Sequence, residues 1–506
     1  MIAMFRRSAL ALLLSCAAFG ANAQSNLRIG LAEDPDVLDP SLGRTYVGRI
    51  VFASICDKLF DIDAKLNIVP QLALGHETSA DGKTVTIKLR PGVKFHDGEA
   101  FDAAAAKYSL DRHLNMKGSF RKTDIGSIEA VEVVDPLTIA LHLKAPFSPL
   151  LAQLTDRAGM MVSPKAAEAA GDKFGLHPVC AGPYKFVERV QQDRIVVERF
   201  ADYWNKDQVL IDKITYLPIV DGTVRLANLR SGGLDLMERV LATDIKTVRD
   251  TPKLKLVKAV SLGFFGLMIN LSNGPKGNNP LGKDGRVRQA LELAIDREAL
   301  NQVVFNGEFV PGNQWVNPQN FYYQQAFPIP PRDAAKAKAL LKEAGVTPPL
   351  SLDFLVPNGP ENRAVAEVVQ SMAAEAGFDL KIRVSEFATS IKESENGEYQ
   401  LYFFGWSGRS DPDGNSFITQ TCKAPFNYDG YCDPEVDALH QEARRVNDPA
   451  ARKAIYEKIA AKVLPGSAGG FLYLYHPQVL IALSDRVDGY TQMPDGLVRV
   501  IGLKLK

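Results

Sequence analysis

The sequence carries no catalytic signature. It has neither the HExxH spacing that sets two zinc-binding histidines on one helix face nor the GxSxG turn that presents a nucleophilic serine. Its seven histidines are scattered, with no two at i, i+4, so each reads as a structural or surface residue. No cysteines stand at CxxC spacing beside a histidine, which removes the usual zinc frameworks. These absences argue against a secreted hydrolase and against a resident metal or other cofactor; the expectation is a protein that is not an enzyme.

An excess of one charge is also lacking. The chain has 59 Lys and Arg against 59 Asp and Glu. A nucleic-acid partner would demand a basic stripe, so none is expected. Beyond the first 23 residues no apolar run is long enough to span a bilayer, and there is no internal repeat.

What is present begins at the N-terminus. "MIAMFRR" is basic, "SALALLLSCAAFGA" is apolar, and "ANA" ends in a small-x-small pattern before Gln24. This reads as a secretory signal peptide over residues 1–23, cleaved after Ala23. "LLSC" offers lipoprotein processing at Cys16 as the alternative, with Leu14 a poor fit. Export permits disulfides. Four cysteines remain, Cys56, Cys180, Cys422 and Cys432, and four allow three pairings. Cys422 and Cys432 bracket a short Pro/Asn/Gly-containing loop, which favours that pair and leaves Cys56 with Cys180.

A chain of 506 residues exceeds one compact core, so two or three domains are expected. "TVTIKLRPGVKF" places Val85, Ile87 and Leu89 on one face of a strand. A helix opens at Asp102 in an N-cap position. After residue 263 strands alternate with helices, as in "PLSLDFLVP" and Glu361 to Ala376, which indicates an α/β layered architecture. The tail "LVRVIGLKLK" is extended and is expected to rejoin an earlier sheet. "GNNPLGKD" (Gly277 to Asp284) fits GxxxxGK, but Asp284 stands where a phosphate loop needs Ser or Thr, and Pro280 removes a backbone donor. It is read as a coincidence.

The run "LYFFGWSGRSDPDGN" (Leu401 to Asn415) is unusual: a buried strand ends in two glycines, a tryptophan and an arginine. Trp406 offers an apolar face and one N–H donor. Gly405 and Gly408 allow close backbone approach. Asp411 with Pro412 reads as a helix start.

In order along the chain, "DPDVLDP" (Asp34 to Pro40), "CDKLFDID" (Cys56 to Asp63), "DGKTVTIKLRPGVKFHDGEAFDAAAAKYSLDR" (Asp81 to Arg112), "AGPYKF" (Ala181 to Phe186), "RFADYW" (Arg199 to Trp204), "GRVRQALELAIDREAL" (Gly285 to Leu300) and "YDGYCDPEVDALHQEA" (Tyr428 to Ala443) resemble the family 5 extracellular solute-binding proteins of bacterial ABC importers, the dipeptide/oligopeptide-binding class. The resemblance implies an α/β periplasmic-binding-protein fold of type II. Its two hinged lobes would comprise residues 24–58 with 177–262 and 476–506, and residues 263–475; an extra domain would span 59–176. It implies a monomeric periplasmic receptor that binds a peptide or peptide-like small polar solute and serves a membrane permease and its ATPase. An opine or a metal chelate is the alternative cargo.

The resemblance also implies a site. "GWSGR" would line the cleft through Gly405, Trp406, Ser407, Gly408 and Arg409. The family's peptide binders carry an aspartate at the position of Arg409, which meets the ligand's ammonium. A guanidinium there would repel an ammonium. Either Asp411 or Asp413 supplies the carboxylate, or the ligand presents an anionic group to Arg409; the expectation here is the second. The remaining reading leaves Arg409 in solvent or paired with Asp411. Arg363, in a segment where the peptide binders grip the ligand carboxylate, Asn270 and Tyr46 complete the candidate set.

Overall fold

The structure, a computed structural model, describes residues 24–506. The expected signal peptide and Cys16 lie outside the described residues.

Two large sheets dominate. The first has seven strands in the order Leu254–Val260, Gln478–Ser484, Leu236–Met237, Asn26–Leu31, Lys213–Pro218, Arg194–Arg199 and Tyr184–Val190. Asn26–Leu31 runs parallel to both its neighbours, Lys213–Pro218 and Leu236–Met237. The second sheet has six strands in the order Val310–Pro311, Phe471–His476, Phe264–Ile269, Leu401–Trp406, Leu350–Pro357 and Phe378–Ser385. A third, antiparallel sheet of four strands orders Ala73–Thr78, Thr84–Leu89, Thr138–Leu143 and Ile128–Asp135. In Thr84–Leu89 the side chains of Val85, Ile87 and Leu89 are buried, as their alternation predicts.

Helix starts follow their caps. Asp102 accepts from the Ala105 N–H at 2.9 Å and opens Ala103–Asn115. Asp284 accepts from the Arg286 N–H at 2.8 Å and opens Gly285–Ala294. The GxxxxGK near-match is therefore a helix junction: Pro280 begins one short helix and Asp284 caps the next.

The chain passes between the large sheets at two adjacent places. Leu254–Val260 leads through Ser261, Leu262 and Gly263 into Phe264–Ile269, and Phe471–His476 leads through Pro477 into Gln478–Ser484. The crossings are tied together: the Ser261 N–H donates to the Pro477 carbonyl at 3.0 Å, and His476 Nδ1 lies 2.9 Å from the Gly263 carbonyl oxygen. The two short crossings lie side by side and run in opposite directions, an arrangement suited to a hinge between the sheets.

The C-terminal tail departs from its expected place. Lys504–Leu505 pairs only with Val487–Asp488, in a small ladder of two strands. The segment that returns to the first sheet is Gln478–Ser484, whose run of buried residues from Leu480 to Leu483 fills an interior position. Disulfides join Cys56 to Cys180 and Cys422 to Cys432.

Candidate functional site

A cavity of about 220 Å³ lies between the two large sheets. The first sheet's side contributes Glu33, Tyr46, Glu238, Arg239 and Gln478 to its wall, and the second contributes Phe265, Glu361, Tyr402, Phe404, Trp406 and Tyr475. Many of these residues sit just past the carboxyl ends of strands: Glu33 follows Asn26–Leu31, Glu238 follows Leu236–Met237, and Ser407 follows Leu401–Trp406. Open α/β sheets gather ligand groups at such ends, because the connecting loops diverge there.

Trp406 is 8% exposed. Its ring lies nearly parallel to Phe404, with centroids 6.4 Å apart, and edge-on to Phe426 at 5.1 Å. The indole N–H donates to the Gly414 carbonyl at 3.1 Å and reaches Asn415 Oδ1 at 3.2 Å. With its donor committed, Trp406 offers the cavity an apolar surface. Gly405 also lines the cavity, and a Cβ there would fall 2.3 Å from the Phe265 ring. Gly408 plays a different part. At φ 77° its missing Cβ leaves room for the crossing segment, which would otherwise be met 2.1 Å away at the Leu262 carbonyl carbon. The second glycine serves the passage between sheets.

Arg409 does not line the cavity. Its Nε lies 2.8 Å from Asp156 Oδ2, and its Nη1 donates to the Gly408 carbonyl at 2.7 Å. Asp156 also receives Arg49 Nε at 3.1 Å, with Arg157 Nε at 3.7 Å. Burial alone would raise the Asp156 carboxyl; Arg409, Arg49, Arg157 and Arg121 instead hold it well below the usual range. Burial, then the repulsion of Arg49, lowers Arg409 to about 10 in spite of Asp156. The sequence reading that pairs Arg409 with Asp411 is thus corrected: a remote aspartate takes its charge, and the side chain lies off the cavity wall where a ligand group was expected to meet it. Asp411 is engaged by Arg452 at 2.6 and 2.7 Å and accepts from the Asp413 N–H, while Asp413 is gripped by Arg444 at 2.7 and 2.9 Å. The helix there begins at Asp413, with Pro412 preceding it. Neither aspartate lines the cavity.

Of the other candidates, Tyr46 and Ser407 line the cavity. The Tyr46 hydroxyl donates to the Gly496 carbonyl at 2.6 Å, and Ser407 Oγ accepts from Arg49 Nη1 at 3.3 Å. Arg363 is exposed and pairs with Glu367 one turn on at 2.9 Å. Its neighbours Glu361 and Asn362 reach the cavity instead. Asn270 is fully buried, donating to the carbonyls of Asn273 and Tyr399. It holds a loop and does not line the cavity.

The family model for bacterial extracellular solute-binding proteins, family 5 Middle, matches residues 67–428. The chain belongs to this family. Among family 5 relatives, the glutathione-binding protein GsiB of Pectobacterium atrosepticum is 31% identical over 91% of this chain and 90% of that protein. GsiB of Salmonella paratyphi A is 31% identical over 96% of each. The periplasmic binding protein AgaA of A. tumefaciens R10, solved with agropinic acid, superposes with a TM-score of 0.86 at 26% identity, covering 95% of this chain and 99% of that one. DppA of Helicobacter pylori, solved with the peptide STSA, has a TM-score of 0.87 at 24% identity over 95% and 98%, and speaks for the fold. The type II periplasmic-binding-protein architecture is thereby shown for this family 5 chain.

Sequence reasoning missed the charged residues of the wall: Glu33, Arg44, Glu238, Arg239 and Glu361. A usable signal existed, since Glu33 and Glu238 closely follow strands and Glu361 follows the Asn-Gly-Pro that starts a helix. Which of these charges are already paired, no local pattern reveals.

Proposed function

We propose that the protein is the periplasmic receptor of an ABC importer, capturing a peptide-like small polar solute between its two large sheets and presenting it to the permease. The lobes would be residues 24–58 with 177–262 and 476–506, and residues 263–475, with 59–176 as the extra domain. The carrying observation is the walled cavity spanned by paired crossings at Ser261–Gly263 and Pro477. The relatives support the cargo class, through glutathione for GsiB and agropinic acid for AgaA. Two disulfides and the leader read from residues 1–23 support an oxidising compartment outside the cytoplasm. The role is capture without chemistry.

Mass spectrometry of solute carried through purification, followed by calorimetry with glutathione, short peptides and agropinic acid, tests the reading. A bound solute released unchanged supports it. Chemical conversion of a solute by pure protein, or failure of every one of these to bind, overturns it.

A further inference from the structure

Five charged side chains face the cavity: Glu33, Arg44, Glu238, Arg239 and Glu361. Four of them have partners. Arg239 bonds Glu33 through Nη1 and lies 3.4 Å from Glu238 through Nε; Arg44 bonds Glu395 and lies 3.9 Å from Asp36. Glu361 alone of the five has no hydrogen bond or ion pair among the described residues.

The cations that face it are committed elsewhere. Arg239 is held by Glu33 and Glu238, and Arg225 spends its guanidinium on the carbonyls of Ile219, Val220 and Arg239 at 2.6, 2.9 and 2.9 Å. With Arg44 held by Glu395 and Asp36 and Arg239 shared by Glu33 and Glu238, no guanidinium of the wall is left for Glu361 among the described residues. The neighbouring wall is aromatic: Phe265 and Tyr475 stack with centroids 5.3 Å apart, and both line the cavity. Aromatic faces attract cations and repel anions.

We propose that Glu361 is the anchor for a protonated amine of the solute, so that the cavity selects ligands carrying a free ammonium group. This deepens the proposed function and rests on it. The carboxylate projects from the second sheet's side, in the first turn of Pro360–Glu375, while Glu33, Glu238 and Arg239 stand on the first. An ammonium held at Glu361 and hydrogen-bonded to that opposite wall would tie the two sheets together. Burial pushes the Glu361 carboxyl up to about 7, with Arg239 and Arg225 opposing the shift. The proton and the ligand's ammonium therefore compete for one carboxylate, and binding strengthens as pH rises through that value.

The test is calorimetry on wild type and Glu361→Gln with glutathione and N-acetylglutathione, and with triglycine and N-acetyltriglycine, beside mass spectrometry of carried solute. Wild type is expected to bind a free amine at least tenfold more tightly than its acetylated form, and more tightly at pH 8 than at pH 6. E361Q is expected to lose both the preference and the pH dependence while melting no lower than wild type, since it removes an unpaired, partly buried charge. An undiminished preference for the free amine in E361Q, or a carried solute without a basic nitrogen, overturns the inference and leaves solute capture standing. Absence of carried solute together with no binding of agropinic acid or of any of the four probes overturns the capture reading itself.

Discussion

Arg409 and Asp156 form an ion pair, Nε to Oδ2 at 2.8 Å, that joins the loop after Leu401–Trp406 to a segment far from it in the chain. Arg49, from the helix Tyr46–Ile55, shares the same carboxylate and also reaches Ser407. Three remote segments thus meet on one buried charge.

The two halves of this pair should respond unequally. Arg409→Met leaves Asp156 with Arg49 and Arg157, so we expect a stability loss of only about 1–2 kcal/mol. Asp156→Asn strands several buried guanidiniums, and a loss of about 3–5 kcal/mol is expected. Denaturant unfolding of both variants checks the order. Equal losses would show that the cluster does not depend on its carboxylate.

Gly408→Ala should destabilise by about 2 kcal/mol or more, because a left-handed backbone at φ 77° and contact with Leu262 act together. Gly92, at φ 72° with open space around it, provides the control and should lose less on the same change. Thermal unfolding of the pair separates contact from backbone strain.

The Asp429 carboxyl is pushed up to about 7 by burial, against the hydrogen bonds it accepts from backbone N–H groups. Its folded value lies above its unfolded one, so the native state binds the extra proton between about pH 4 and 7. The group stabilises the fold as pH falls through that window and costs stability above it. Asp429→Asn, which keeps an acceptor for the Tyr431 N–H, should therefore be more stable than wild type by roughly 2–4 kcal/mol at pH 8. The advantage should vanish near pH 4. A pH-independent difference would show that Asp429 does not titrate in this window.

Replacing Cys56 and Cys180 together by Ser should lower unfolding free energy by about 3–5 kcal/mol, since that bond closes a sequence separation of 124. The Cys422–Cys432 bond closes only 10 and should matter less. Chemical denaturation of the two double variants gives the comparison.

Much of the architecture was legible in the residues themselves. The alternation at Val85, Ile87 and Leu89, the aspartate cap at 102, and the Gly-Trp-Ser-Gly end of a strand are local features. Each depends on neighbours within a few residues, so sequence spacing determines it. The extended tail misled because extension alone does not choose a partner strand; packing gave the interior place to the more apolar Gln478–Ser484.

The charges of the site belong to the other kind. Arg409, Arg363 and Glu361 are all charged residues in the segments that follow strands of the second sheet, yet one is bound to Asp156, one pairs on an exposed helix face, and one faces the cavity without a partner among the described residues. Charge pairing depends on which segments converge and how far water is excluded between them. Only the tertiary structure decides that, because burial and long-range partners are properties of the assembled sheets.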